Sequence, residues 1–452
     1  MIKYLNFNLN NHNFTNHTYT CCAMKTSIIW FKTDLRLYDN ETLVTAIKES
    51  DLVIPVYCYD ENHYNTTDYG FKKTGAYRAQ FILEAVADLD TRLRETGSGL
   101  IVVKGNPEKQ LAMIARMYNA TAIYAKKEVA PEEIITQKRI KQALKAVNCE
   151  LHSVGESTLF HEKDLPFSIE SIPDVFTNFR VKVQKHCVVP DVVARPTVIA
   201  SPKLPPAILP KLSELGLEPA EQDSRASIQF KGGEGEGLKR INTFFYETHA
   251  IAHYKDTRNE LKGENYSSKF SAFLAQGCLS SRAVYNDLKE YEKEFGANEG
   301  TEWLFFELLW RDYFCFMMCK HHTKLFNKGG IKNEPPVNPP HNERILRQWI
   351  NGETGNDFVD ANMLELKLTG FMSNRGRQNV ASYLCHDLKI DWRHGASYFE
   401  QQLVDYDVCN NWGNWAYIAG VGNDPRQNRY FNIQKQAADY DADGSFRRLW
   451  LS

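Results

Sequence analysis

Two regimes of residue patterning divide this chain, and they limit its fold more than any single motif does. From Thr26 to about Gly155, short β-rich runs alternate with longer stretches whose apolar residues recur at spacings of three and four. The runs are Ser27 to Phe31, Leu52 to Tyr59, Leu100 to Val103 and Ala122 to Ala125, with Cys149 to Val154 as a candidate fifth. The longer stretches include Ala76 to Glu95, Pro107 to Tyr118 and Pro131 to Val147. This alternation predicts a Rossmann-like α/β domain, a parallel sheet covered on both faces, with ligands beyond the carboxyl ends of its strands. From Ala226 onward strand patterns nearly vanish. Helical spacing takes over at Gly235 to Thr248, Ser281 to Phe295, Thr301 to Cys319, Arg344 to Asn351, Ala361 to Thr369, Arg377 to Leu388 and Tyr398 to Leu403.

Between the regimes, residues 156–225 carry nine prolines, which break any long helix and predict an extended connector packed over the surface. The expected organisation is therefore a disordered extension over 1–24, an α/β domain over 25–155, a linker over 156–225 and an all-α domain over 226–452. A chain of 452 residues is too long for one core. Its net charge of -2 does not discriminate among partners, because a basic groove can hide in a neutral total. The ten cysteines form no paired framework, so a reducing cytosol and a cytoplasmic protein are expected. No apolar run is long enough to cross a bilayer, and no membrane association is expected. The first 24 residues are asparagine-rich with Lys3 as their only charged side chain; they lack the arginines of a transit peptide and read as a disordered tail or an upstream start before Met24.

The densest chemistry lies at 254–282. Ser267, Ser268, Lys269 and Ser271 lead into a short apolar helix, where hydroxyls, an ammonium group and free helix N–H groups could converge on a phosphate; an ordinary serine cap is the alternative. Gly277 would end the turn. On the helix near Thr301, the residues Trp303, Glu307, Trp310, Arg311 and Phe314 share one face, either as a core stripe with an internal ion pair or as a site. Asn374, Arg377 and Gln378 share another face, suited to the edge of a planar heterocycle or to solvent. Leu403 to Trp415 reads as a loop whose Asp405, Asp407, Asn410 and Asn411 need partners, and Arg377 is a candidate partner for Asp405. Cys315 and Cys319 sit one helical turn apart in an apolar run, so buried thiols are expected there rather than a metal site. Neither a phosphate-binding P-loop nor a dinucleotide fingerprint is present.

Taken together, Ile28 to Asn40, Gly370 to Val380 and Asn411 to Phe431, the last with Gly-Asn-Trp and Gly-Val-Gly-Asn-Asp-Pro-Arg-Gln-Asn-Arg-Tyr-Phe, resemble the photolyase and cryptochrome family, most closely its DASH branch, from about Met24 to the C-terminus. The resemblance implies non-covalent FAD in the helical domain. Tyr254, Ser267, Ser268, Lys269, Phe270 and Ser271 match its phosphate and ribityl contacts, and Arg311, Arg377, Asp405, Tyr406, Asp407 and Asn411 match residues around the ring. Glu307, Trp310, Asn374, Gln378 and Tyr417 match the pocket that receives a flipped pyrimidine dimer, and Arg258 is a candidate phosphate contact. Lys127-Glu128 resembles the carboxylate site of an antenna pterin, 5,10-methenyltetrahydrofolate. Tyr417 and Gln378 stand where duplex-repairing relatives tend to carry Trp and Met, which favours single-stranded DNA as partner, with RNA or looped duplex as alternatives, and a monomer is expected.

Two departures stand out. Trp415 and Trp392 match the proximal and middle members of a light-driven tryptophan chain, but the distal position is Pro339; either Trp349, Trp412 or a tyrosine replaces it, or photoreduction is impaired. Gly355-Asn356-Asp357-Phe358 also differs from the usual loop there. The implied activity is light-driven splitting of cyclobutane dimers. The rival is a blue-light receptor, for which a longer C-terminal extension than the one ending at Ser452 would be expected.

Overall fold

The computed structural model describes residues 24–426 and 429–452, so the N-terminal extension, Met24 apart, lies outside the described residues. Five parallel strands form one sheet in the order β3-β2-β1-β4-β5: β1 (Thr26–Phe31), β2 (Leu52–Tyr59), β3 (Ile101–Lys104), β4 (Ala122–Lys126) and β5 (Glu150–Val154). Every residue of the central β1 is buried, as a strand covered on both faces requires. The covering comes from α1 (Glu41–Lys48), α2 (Ala76–Glu95), α3 (Pro107–Tyr118) and α4 (Pro131–Leu144).

The linker is not wholly extended. Between Pro173 and Pro190 it forms α5 (Phe176–His186), which buries Phe176, Phe179 and Val183 at helical spacing. The prolines flank this helix without entering it, and that hid it in the sequence. The linker is fastened to the helical domain by Asp312, which is fully buried and accepts the N–H groups of Leu159 at 2.9 Å and Phe160 at 3.2 Å.

The remaining helices are α6 (Glu234–Asn242), extended by a π-helical turn to Glu247, α7 (Tyr254–Thr257), α8 (Ser271–Ala275), α9 (Ser281–Phe295), α10 (Glu299–His321), α11 (Glu343–Asn351), α12 (Asp357–Thr369), α13 (Asn374–Ser382), again with a π-helical turn, to Asp387, α14 (Trp392–Gln402), α15 (Val408–Ile418), α16 (Ile433–Tyr440) and α17 (Ser445–Leu451). α15 corrects the expected loop at 403–415. Asp407 caps it by accepting the N–H of Asn410 at 2.9 Å, and Cys409, Trp412, Trp415, Ala416 and Ile418 are buried along it. The departing 355–358 segment forms a capped helix start: Asn356 accepts from Val359 N–H, and Asp360 ties Thr354 and Gly355. No helix among the described residues is long and apolar enough to cross a membrane.

A buried charge network joins sheet and helices. Arg282 at the start of α9 meets Asp39 at 3.0 Å and Glu41 at 2.6 Å, while Glu234 accepts the N–H groups of Leu37 and Tyr38. Gly277 closes the same seam. Its φ of 68° suits glycine, and a Cβ there would collide with the backbone of Thr33 and Asp34.

Candidate functional site

The long helix α10 supplies one wall. Most of its surface is buried, yet Trp303, Glu307, Trp310 and Arg311 of the expected stripe remain half-buried, as does Phe306, while Phe314, the stripe's fifth member, is buried. Glu307 accepts from Arg258 at 2.6 Å and from the indole N–H of Trp303 at 3.0 Å. Burial pushes its carboxyl upward, and Arg258 and the Trp303 bond oppose that push. One face of Trp310 lies on Phe176 of the linker helix, with centroids 3.7 Å apart and planes at 11°; Tyr417 meets Trp310 edge-on at 5.9 Å. Phe176 was not legible as a site residue. Arg429, also missed, lies over the Tyr417 ring at 4.6 Å. Asn374 is exposed at the start of α13, and Gln378 is half-buried one turn further on.

Two ion pairs build the inner wall. Arg377 donates to Asp405 at 2.9 Å and to the Met372 carbonyl, so the expected partnership is present. Arg311 donates to Asp407 at 3.1 Å and to the Leu274 carbonyl. Burial opposes ionisation of Asp407, but Arg311 and the bonds from Asn410 prevail and hold its carboxyl below the usual range.

The serine segment differs from its expected form. Helix α8 has five residues and no side-chain cap; Ser268 only weakly accepts the N–H of Phe270 at 3.5 Å. Lys269 has a φ of 59° and turns its ammonium group inward, 3.2 Å from the centroid of Tyr266 and 4.8 Å from that of Phe371. Burial drives its pKa well below that of an ordinary lysine. The segment's shape is set by Arg240, which sequence reasoning missed: its guanidinium donates to the carbonyls of Ser268 at 2.9 Å and Ser267 at 3.2 Å and to the side chain of Glu264 at 3.0 Å. Tyr254 is buried, with its phenol pushed up by desolvation and by the nearby Glu307.

Polar atoms left without partners identify what this wall can accept. Lys269 Nζ, Tyr266 Oη, Glu365 Oε2, Asp405 Oδ1 and both side-chain polar atoms of Asn379 are buried without any hydrogen bond. Such groups are costly to bury unsatisfied. Asn411 spends its amide N–H on the Ala396 carbonyl at 3.0 Å. A ligand with phosphates, hydroxyls and a heterocyclic edge would satisfy this mixed set.

A cavity of about 900 Å3 opens at the carboxyl ends of β1 and β4 and reaches the helical domain. Glu128, Glu133, Gln137, Arg78, Arg311, Tyr406, Asp407 and Trp412 are among the residues that line it. Tyr406, expected beside the flavin ring, lines this space together with Arg311 and Asp407. Glu128 is ion-paired with Lys32 at 3.2 Å and Lys126 at 3.6 Å. By contrast, Glu133 Oε2 and Gln137 Nε2, one turn apart on α4, have no partner.

Comparison with known proteins places the chain in a family. Residues 27–200 match the family model described as DNA photolyase, and residues 303–452 match the FAD binding domain of DNA photolyase. A protein of Gloeobacter violaceus named Cryptochrome DASH is 45% identical over 95% of this chain and 86% of its own length. The crystal structure of a Synechocystis cryptochrome superposes with a TM-score of 0.91 at 45% identity, covering 94% of this chain and 88% of that one. A class III photolyase of Agrobacterium tumefaciens gives 0.81 at 26% identity, covering 96% and 88%.

Proposed function

The chain belongs to the photolyase and cryptochrome family, with cryptochrome DASH proteins as its relatives, and on that premise we propose that it uses light to split cyclobutane pyrimidine dimers, preferentially in single-stranded DNA. The observation that carries this reading is the cluster of Glu307, Trp310 and Tyr417. There a carboxylate steadied by Arg258 and Trp303 stands beside an indole braced from behind by Phe176.

FAD, when bound, supplies the light absorption and the electron for splitting. The protein's own residues bind and orient. Arg377 with Asp405, Arg311 with Asp407, and the amide oxygen of Asn411 would hold the ring, and Lys269, Tyr266 and Asn379 would meet the polar remainder. Trp310 offers a stacking face to a flipped base, and Glu307 an acceptor for its N–H edge. Asn374 and Gln378 add amides to the rim. A polar rim with Tyr417 grips a flipped dimer less than a larger apolar one would, and extrusion is cheapest from single strands, which favours them as substrate.

For the cavity, the ligand we propose is 5,10-methenyltetrahydrofolate acting as an antenna. Glu128, neutralised by two lysines, serves as part of the wall, and Glu133 with Gln137 offers the free acceptor and donor for a pterin edge.

The deciding experiment illuminates the reduced, flavin-loaded protein with dimer-containing oligothymidine, single-stranded and in duplex, and follows the recovery of thymine absorbance. Recovery on the single strand supports the reading. No recovery on either would overturn it and leave light reception as the role.

A further inference from the structure

Pro339 stands where the distal indole would be, and its saturated ring carries no electron. The rings around Trp392 offer another way out. Trp392, 1% exposed, meets Trp412 edge-on at 5.8 Å. The Trp412 indole N–H donates to the Tyr406 hydroxyl at 3.3 Å. Tyr406 and Glu400 both line the 900 Å3 cavity, and the carboxyl of Glu400 neighbours the phenol. On the inner side, Gly395, one turn after Trp392 on α14, lies flush against the Trp415 ring, where a Cβ would collide with the indole. Trp349 also touches Trp415, at 6.2 Å, but it is fully buried and its onward neighbours Tyr398 and Phe399 are buried too.

We propose that Tyr406 is the terminal electron donor of this protein, reducing an oxidised Trp392 through Trp412 while its phenolic proton passes to Glu400. The inference rests on the flavin reading above. One electron leaves Tyr406 and restores the closed-shell indole; the O–H bond breaks, the proton binds a Glu400 carboxylate oxygen, and a neutral tyrosyl radical remains. The electron lost from Trp392 has gone through Trp415 to the photoexcited oxidised flavin. Arg78 lies over the Tyr406 ring at 4.6 Å, so a cationic radical there would be repelled and the proton must leave with the electron. Burial raises Glu400 to about 7, against the pull of Arg78 and Lys73, with Glu132 adding to the rise and the Tyr406 bond opposing it, so a carboxylate acceptor is present at neutral pH.

The test is electron paramagnetic resonance of flavin-loaded protein containing ring-deuterated tyrosine, under blue light without added reductant. The expected result is a deuterium-narrowed tyrosyl signal that, measured per bound flavin, falls at least tenfold in Tyr406→Phe and in Trp412→Phe. Its yield should decline as pH drops from about 8 to about 6, where Glu400 gains its proton, and Glu400→Gln should remove that dependence. A tryptophan radical as the only product, or a tyrosyl signal undiminished in Tyr406→Phe, with flavin bound, overturns this proposal alone. Absence of bound flavin overturns the flavin reading and this inference together.

Discussion

The guanidinium of Arg377 meets the carboxylate of Asp405 at 2.9 Å and so joins the first turn of α13 to the approach of α15. Asp405 is buried and its second oxygen has no partner. Removing the cation would leave a lone buried carboxylate, which costs about 3–5 kcal/mol. Arg377→Ala should therefore lower the thermal midpoint and reduce the ratio of flavin to protein absorbance at least tenfold. Flavin retained at full occupancy would show that the pair is structural and does not face the ring.

Glu307 accepts two bonds that converge from Arg258 and Trp303, with burial raising its pKa. Glu307→Gln keeps the shape but removes the charge that Arg258 and a base edge both need. A charged hydrogen bond contributes about 1.5–3 kcal/mol, so the quantum yield of dimer splitting should fall by roughly ten- to a hundredfold. Flavin content should not change. Both measurements come from one absorbance titration, and an unchanged yield places the lesion elsewhere.

How far the sequence could be read depends on which physical signal each element carries. The strands and α2, α3 and α9 were legible to within a residue or so, because sheet burial and amphipathic spacing are local patterns. Helix α15 was not. Asn410, Asn411, Gly413 and Asn414 have weak helix propensity, and the helix exists because α10 and α14 bury its other side. The Asp407–Asn410 cap was the one local clue. In the site, Arg377 and Asp405 stood out because charges among aromatic residues need partners. Arg240 and Glu133 did not, since a charged residue on an amphipathic helix looks solvated until the fold buries it. Phe176 reaches Trp310 only by tertiary contact, which no spacing encodes.

At the seam between sheet and helices, burial of Glu41 disfavours its charge, but bonds from His161 and Arg282 prevail and bring it from 4.5 to about 2. The His161 pKa is raised, first by its bond to Glu41. A depressed carboxyl contributes stability that is complete above its unfolded pKa and is lost as pH falls through the folded one. The raised histidine contributes below its unfolded pKa, and that share is lost as pH rises through the folded one. The Glu41 share is about 3 kcal/mol, lost between about pH 4.5 and about pH 2. Glu41→Gln should flatten the denaturant-midpoint profile in that acid window and lower it near pH 5.5. An unchanged acid limb would show that the network is already satisfied without Glu41.

Glu133 faces the cavity with one oxygen unpartnered, and burial, helped by the repulsion of Glu128, raises it to about 7. A pterin presents N–H donors along one edge, and these bind a carboxylate better than a neutral acid. Affinity for 5,10-methenyltetrahydrofolate should therefore rise with pH through about 7, because the ligand selects the ionised form. Glu133→Gln should weaken binding at least tenfold and remove the pH dependence, and Gln137→Ala should weaken it less. Glu128→Gln should act mainly through Lys32 and Lys126, leaving the slope with pH in place. Fluorescence titration of the flavin-loaded protein with the folate distinguishes these outcomes. If Glu128→Gln alone abolishes binding while Glu133→Gln leaves both affinity and slope intact, the pterin edge belongs to Glu128.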